Sequence, residues 1–237
     1  VGSELCIRDS AWACIIPLLN KYELDGYIND PMVTVWEWLN NNVLSLLPIK
    51  VVPGPKGLKP VLNQLQAVTY IDAIAKEKLG AGKALQQLSA IETIRTTADL
   101  TNEYSFRYAK RGYDQSYTKQ VRVTDKKYKN YDIQSDYSAR SINAYGIKTS
   151  SGNSDYVYDK NTATLIALDY VARESTPIRA IDISAPFHYG FLQIGDIISI
   201  DSDELYMDRQ KCLIIEKEYL TQQWRFKIAF EINTIKR

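Results

Sequence analysis

Histidine is almost missing from this chain of 237 residues, which has only His188. Cysteine is scarce too, limited to Cys6, Cys14 and Cys212. A zinc site draws most of its ligands from these two residue types, so the chain has little with which to build one. An odd number of cysteines at unrelated spacings, with no Cys-x-x-Cys pair, excludes a disulfide framework. They read as small buried hydrophobes of a protein made in a reducing cytosol. A histidine-based triad could use only His188, and no serine or cysteine context marks a nucleophile beside it. Set between Phe187 and Tyr189 near a strand end, His188 reads as a surface or turn residue. Nucleotide-binding motifs are missing as well, Gly80-Ala81-Gly82-Lys83 being only a fragment of a P-loop, and Gly-x-Ser-x-Gly does not occur. No run of 18 apolar residues is present, so no transmembrane helix is expected. Net charge is +1, which gives no global pull toward nucleic acid or membrane. No repeat of 20–50 residues occurs. The expectation is a protein that is not an enzyme, with no catalytic residue, no cofactor and no metal.

What is present is an ordinary globular composition, 45% hydrophobic and 24% charged, long enough to bury a core without staples. Tyrosine stands out: 17 residues against five Phe and four Trp. Tyrosine offers area and one polar handle at low entropic cost, which suits sheet surfaces and protein interfaces. The first residues, Val1-Gly2-Ser3-Glu4, carry neither a signal-peptide pattern nor an initiating Met, and a piece of a longer protein or a processed product is expected.

Along the chain, Leu5, Trp12, Ile15, Ile16 and Leu19 fall near a 3.6 period, with Pro17 expected to end or kink that helix. Asp30 as cap and Pro31 at the first helical position open a second helix, drawn from Pro31 to Ser45 with Val33, Trp36, Leu39, Val43 and Leu44 as its apolar stripe. Pro48 to Val52 is a short β-prone run that Pro53-Gly54-Pro55-Lys56-Gly57 stops. Val68 to Ile71 looks like a strand and Gly80-Ala81-Gly82 like a loop. From Leu88 to Tyr145 the pattern is β, with Tyr104, Phe106 and Tyr108 alternating against Ser105, Arg107 and Ala109, and a strand at Gln120–Thr124. Turns are expected around Asp114 and Asn130, and a loop at Ser150–Ser154. A helix over about 160–174 follows, capped by Asp159, burying Ala163, Ile166, Ala167, Tyr170 and Val171. The last sixty residues are β. Ile181 and Ile183 share a face, Ile194-Gly195-Asp196 turns into Ile197–Ile200, and Cys212–Ile215 follows. Trp224, Phe226, Ile228, Phe230 and Ile232 alternate strictly in a half-buried, central strand. The domain expectation is a helical and mixed region over 1–87 and a β-rich region over 88–237.

Charge is unevenly placed. Tyr104 to Tyr131 holds eight basic and two acidic residues, and Asp182 to Glu218 holds eight acidic and three basic ones. Opposite patches on one chain fit head-to-tail or intersubunit docking. Arg107, Lys110, Arg111, Tyr113, Lys126, Lys127, Tyr128 and Tyr131 interleave cations with rings, as single-strand nucleic-acid binders do. The same residues equally make a protein interface or a plain solvated surface around hairpins. On the acidic side Asp201 and Asp203, with Glu204 and Asp208, read as a solvated hairpin tip, because a calcium loop needs a central Gly and a terminal Glu. A hydrolase would need a carboxylate pair, and nothing selects one. Gly195 permits its turn, and Asp196 can bond its own backbone there.

Thr162-Ala163 stands at a helix start, and Ser175-Thr176-Pro177, the strand Arg179–Ser184, and Leu192-Gln193-Ile194-Gly195-Asp196 leading into Ile197–Ile200 follow it. Cys212–Glu218 and Trp224–Ile232 complete the series. This order of elements resembles the phage tail-hub family: baseplate hubs, tail-associated proteins and lambda-like tip attachment proteins. Upstream, Asn102–Ala109 looks like the family's Asn-led strand, and Ser141-Ile142-Asn143-Ala144-Tyr145-Gly146 like its Ser…Tyr-Gly element. The Trp36 helix followed by Leu47-Pro48-Ile49 suits the tail-tip variety. The resemblance implies an α+β fold: a helical N-terminal part and small antiparallel β-barrel-like domains with an inserted helix. It implies a homotrimer that caps the tail tube and meets tube, distal-tail and fibre proteins, in a virion tail assembled in the bacterial cytoplasm. The runner-up is a β-barrel module that binds nucleic acid or polysaccharide through residues 104–131.

Overall fold

A computed structural model describes residues 11–26, 33–54, 57–62, 79–80 and 83–231. The chain is a mixed α+β protein, mostly strands. In order come α1 (Ala11–Leu19), α2 (Val35–Leu39), a π-helical stretch (Asn40–Leu44), β1 (Ile49–Gly54), β2 (Gly57–Leu62), β3 (Gln86–Gln87), β4 (Glu92–Arg95), β5 (Glu103–Lys110) and β6 (Tyr117–Thr124). Next are β7 (Asp132–Gln134), α3 (Asp136–Tyr145), β8 (Thr149–Asn153), α4 (Lys160–Glu174), β9 (Ile178–Pro186), a 3-10 turn (Phe187–Phe191), β10 (Ile197–Ser202), β11 (Met207–Leu220) and β12 (Gln223–Glu231). They form two compact units that do not follow chain order. One draws on Val51–Ala98 and Pro177–Arg237, the other on Trp12–Lys50 and Asp99–Thr176. The sequence boundary between residues 87 and 88 falls inside the first.

The first unit is a curled antiparallel sheet in the order β10-β11-β12-β9-β3, with β4 also paired to β9. β12 is central, as its alternation predicts. Phe226 and Ile228 turn inward against Ile181, Ile183, Ile198, Ile200 and Ile214. The curl brings its two outer strands toward each other through a short bridge. Leu79 N–H donates to the Asp201 carbonyl (2.8 Å), and Gly80 N–H donates to the Leu85 carbonyl (3.1 Å) just before β3. Closure of this kind removes exposed sheet edges, and it explains why Ile197–Ile200 is buried on both faces although β10 ends the ladder.

The second unit is a two-layer sandwich. Its sheet runs β7-β6-β5-β8, an antiparallel β5–β6 hairpin flanked by two parallel pairs. Helix α4 covers one face, placing Ala163, Ile166, Ala167 and Val171 against Tyr104, Phe106, Tyr108, Val121 and Val123. Asp159 caps it as expected, accepting from Thr162 N–H at 2.8 Å. Tyr170, placed in the buried stripe, is half-exposed and stacks on Tyr104 with centroids 4.0 Å apart.

Several expectations are corrected. The segment 136–145, read as β, is helix α3, because its buried residues are Ser138 and Ser141 and apolar periodicity cannot reveal a face made of serines. Ser150–Ser154, read as a loop, supplies most of β8, a small-residue strand alongside β5. The helix drawn from Pro31 to Ser45 is α only over Val35–Leu39, capped by Thr34, and continues as the π-helical stretch. Its stripe is not buried, and Trp36 is 50% exposed. Pro17 does not itself end α1 but sits inside it, two residues before the end. Asp30, Pro31, Leu5, the Val68–Ile71 strand, Ala81, Gly82, Ile232, Cys6 and the side chain of Cys14 lie outside what is described. Cys212 is buried as expected, and burial pushes its thiol pKa up.

Candidate functional site

The basic, tyrosine-rich stretch is one run in sequence but two places in space. Arg111 and Tyr113 sit at the β5–β6 hairpin tip, whereas Lys126, Lys127 and Tyr128 follow the far end of β6. Eight residues of strand separate them by roughly 20–25 Å. Arg107 is exposed on the open face of the sheet.

Each end is organised by a carboxylate. At the tip end, Asp155 accepts from Lys110 (2.5 Å) and from the Tyr117 hydroxyl. Burial alone would push the Asp155 carboxyl up, but these hydrogen bonds outweigh it and hold its pKa low. Arg111 turns back on its own loop, donating to the Tyr113 hydroxyl at 3.0 Å and lying over its ring. At the other end, the Asp132 carboxylate is fully buried. It takes two parallel bonds from Arg122, Nε at 2.9 Å and a terminal nitrogen at 3.0 Å. It also accepts the N–H groups of Tyr128 (2.9 Å) and Lys129 (2.7 Å). The Arg122 pairing is the largest of the effects that lower its pKa. This clamp lets a loop of seven residues return beside β6 in parallel pairing, a connection that ordinarily needs a long crossover. It also fixes the loop that displays Lys126, Lys127 and Tyr128, all exposed, with Tyr131 half-buried under Arg122 and Lys129.

The acidic residues Asp201 and Asp203 lie in the other unit, on the β10–β11 hairpin. Asp203, Glu204 and Asp208 are exposed, as a solvated tip requires, and Asp201 accepts from Arg209 N–H. Leu205 and Met207 anchor the tip in the core, while Tyr206 between them is 96% exposed at φ 53°. That left-handed conformation is unfavourable for a bulky side chain.

The Gly195-Asp196 turn behaves as its residues predict. Gly195 has φ 89°, and a Cβ there would collide with Val61. Asp196 accepts from Gln193 N–H at 2.8 Å and pairs with Lys59 at 3.2 Å. Gly195 N–H donates to Ile214 O, and Ile214 N–H donates to Asp196 O, which fastens the turn to β11. His188 is exposed on the 3-10 turn. Among the described residues, no group of three or more His, Cys, Asp or Glu side chains could hold a metal ion.

Two arrangements escape sequence reasoning. The buried Asn102 side chain donates to Ser141 Oγ (3.1 Å) and Gly146 O (2.8 Å) and accepts from Lys148 N–H (2.7 Å), while Ser138 Oγ donates to its carbonyl (2.5 Å). The Asn-led strand and the Ser…Tyr-Gly element are thus two halves of one hydrogen-bonded clamp. Their separate resemblances were visible, but their contact was not. The second is an aromatic cluster at the end of the curled sheet. Phe187 stacks over Trp224, Tyr219 meets both edge-on, and Lys217 lies 4.2 Å from the Trp224 ring while donating to Gly190 O and Leu192 O. Strand alternation places Trp224 and Tyr219, but only the 3-10 turn brings Phe187 to them.

No protein-family model matches the chain, and no curated protein matches it. Its fold is shared with solved structures. Over 94% of its length it is similar to a chain of the virion of a native gene transfer agent particle, at TM-score 0.52 and 15% identity, covering 48% of that chain. Over 92% it is similar to the 43 kDa tail protein of prophage MuSo2 from Shewanella oneidensis, at TM-score 0.50 and 9% identity, covering 63% of that protein. The chain therefore spans about half of the first and less than two thirds of the second, and the likeness is one of fold.

Proposed function

We propose that this chain is a structural protein of a phage or prophage-derived tail, built into the tail tip or baseplate as a homotrimer. There it caps the tube and joins it to fibre or receptor-binding parts. One observation carries the reading: the fold likeness to a virion chain runs along nearly the whole of this chain, through both compact units. Large exposed rings on both units, among them Tyr128 and Tyr206, suit a chain whose surfaces meet other proteins. Nucleic-acid binding through residues 104–131 is less well supported. A single-strand track needs continuous cations, whereas here the two basic ends stand apart and Lys110 and Arg122 are committed to carboxylates.

The test is to tag the chain in its own phage or prophage, purify induced particles, and locate it by mass spectrometry and labelled electron microscopy. The expected result is label at the tail end distal from the head, and particles without a finished tip when the gene is deleted. Particles that lack the protein, with tails unaffected by its deletion, would overturn the reading.

A further inference from the structure

Among the described residues, the two most exposed tyrosines outside the Arg111-bound Tyr113 stand on two loops of opposite charge. Tyr128 is 71% exposed, and Lys126, Lys127 and Lys129 surround it. Neither Lys126 nor Lys127 makes an ion pair among the described residues. Tyr206 is 96% exposed, and its neighbours in sequence Asp203, Glu204 and Asp208 are exposed carboxylates, with Arg209 as the one exposed cation beside them. Both loops are held in place from behind. The Asp132 carboxylate bonds the backbone of the first at Tyr128 and Lys129. The second is anchored by Leu205 and Met207, by Ser202 Oγ accepting from Leu205 N–H, and by Asp201 accepting from Arg209 N–H. Preorganised loops lose little conformational entropy on docking. A ring at the centre with charge at the rim is the composition of an interface hot spot.

We infer that these two loops dock on each other between copies of the chain: the lysine-rimmed Tyr128 loop of one copy meets the carboxylate-rimmed Tyr206 hairpin of the next. The occupant is fixed by charge complementarity. Lysines at one rim meet carboxylates at the other, and each ring is placed to receive a cation or a neighbouring ring. Because the two surfaces differ, the contact is head-to-tail, and a ring forms if successive rotations close. This deepens the tail reading, from which it takes only that several copies stand side by side.

The whole chain is purified and its mass in solution followed over a concentration series by sedimentation and light scattering, at about 50 mM and about 500 mM salt. Self-association that weakens with salt is expected. Lys126→Glu with Lys127→Glu in one variant, and Asp203→Lys with Asp208→Lys in another, should each raise the self-dissociation constant about tenfold or more. Mixing the two variants should restore association into alternating pairs, because the reversed loops complement each other, although an alternating set cannot close a ring of three. Tyr206→Gly is the control for folding: glycine accepts φ 53° readily, so the fold is kept while the ring is lost, and association should fall. The inference is overturned if the chain is monomeric at every concentration in low salt. It is also overturned if it associates equally well with either rim reversed, or if the mixture is no better than its parts. Particle localisation is read separately, so loss of the tail reading and loss of this contact are distinguishable.

Discussion

The two units reach stability by different routes. The curled sheet of the first unit is sewn mainly from neighbours in sequence: β10 to β11 and β11 to β12 are hairpins, and β9 lies against β12 in an unbroken antiparallel register from Ile178–Glu231 to Pro186–Gln223. Its cohesion is mainly apolar; ion pairs such as Lys227–Glu92 and Arg225–Glu218 are exposed or half-exposed, and the largely buried Lys59–Asp196 pair fastens one turn. The second unit has one hairpin and two parallel edges, and each edge hangs on a buried polar side chain: Asn102 for β8 and α3, Asp132 for β7. A sheet assembled by hairpins can rely on alternation. One with short parallel edges must satisfy backbone groups that no neighbouring strand reaches, and side chains do it.

That contrast can be broken by substitution. The largest effect is expected at Phe226→Ala, on the central strand of the first unit, where truncation of a fully buried ring costs about 3–5 kcal/mol. Chemical denaturation should show it, with hydrogen exchange in β9, β11 and β12 accelerated and in β5 and β6 unchanged. Next, Asn102→Ala strips the clamp in the second unit and leaves buried groups without partners, at about 3 kcal/mol. Exchange should then rise in α3 and β8 while the first unit keeps its protection. Equal loosening of both units by either substitution would mean that they are not separately stabilised.

Gly195→Ala comes third, at about 2 kcal/mol, from a left-handed φ combined with the collision with Val61. Its loss of thermal stability should be relieved by Val61→Ala in the same chain. Last, Asp132→Asn should cost about 2 kcal/mol at neutral pH, since Arg122 keeps some exposure and does not suffer a full buried-charge penalty. This effect is pH-dependent. The pKa of Asp132 is lower folded than unfolded, so its contribution is fully present above the ordinary carboxylate value of about 3.9 and is lost as pH falls toward the lowered one. Stability curves of the two proteins should therefore converge in acid, below about pH 4. A gap that persists unchanged in acid would assign the loss to packing.

What could be read in advance divides along the same line. Strict alternation from Trp224 to Phe230 placed β12 at the centre of its sheet, and Asp159 with the Ala163–Val171 stripe placed α4, because both signals are local and apolar. Helix α3 was missed because its inward residues are serines, and β8 because Thr149–Asn153 holds no β-branched or aromatic residue beyond Thr149. The basic stretch was legible as composition but not as a surface. Its members alternate between faces and occupy both ends of β6, and two of them are neutralised by Asp155 and Asp132, partners 45 and 10 residues away in sequence.

By itself the sequence determined the long helix over about 160–174, the Gly195-Asp196 turn and the succession of the closing strands. These rest on periodicity, capping and turn chemistry, whose range is a few residues. Only the tertiary structure decided that residues 51–98 join 177–237 in one unit. It alone joined Asn102 to Ser141 and Gly146, and set Tyr128 and Tyr206 outward on clamped loops. Those outcomes depend on hydrogen bonds and packing between segments distant in the chain. Their loop-closure cost grows only slowly with separation, so sequence distance gives no sign of which pair forms.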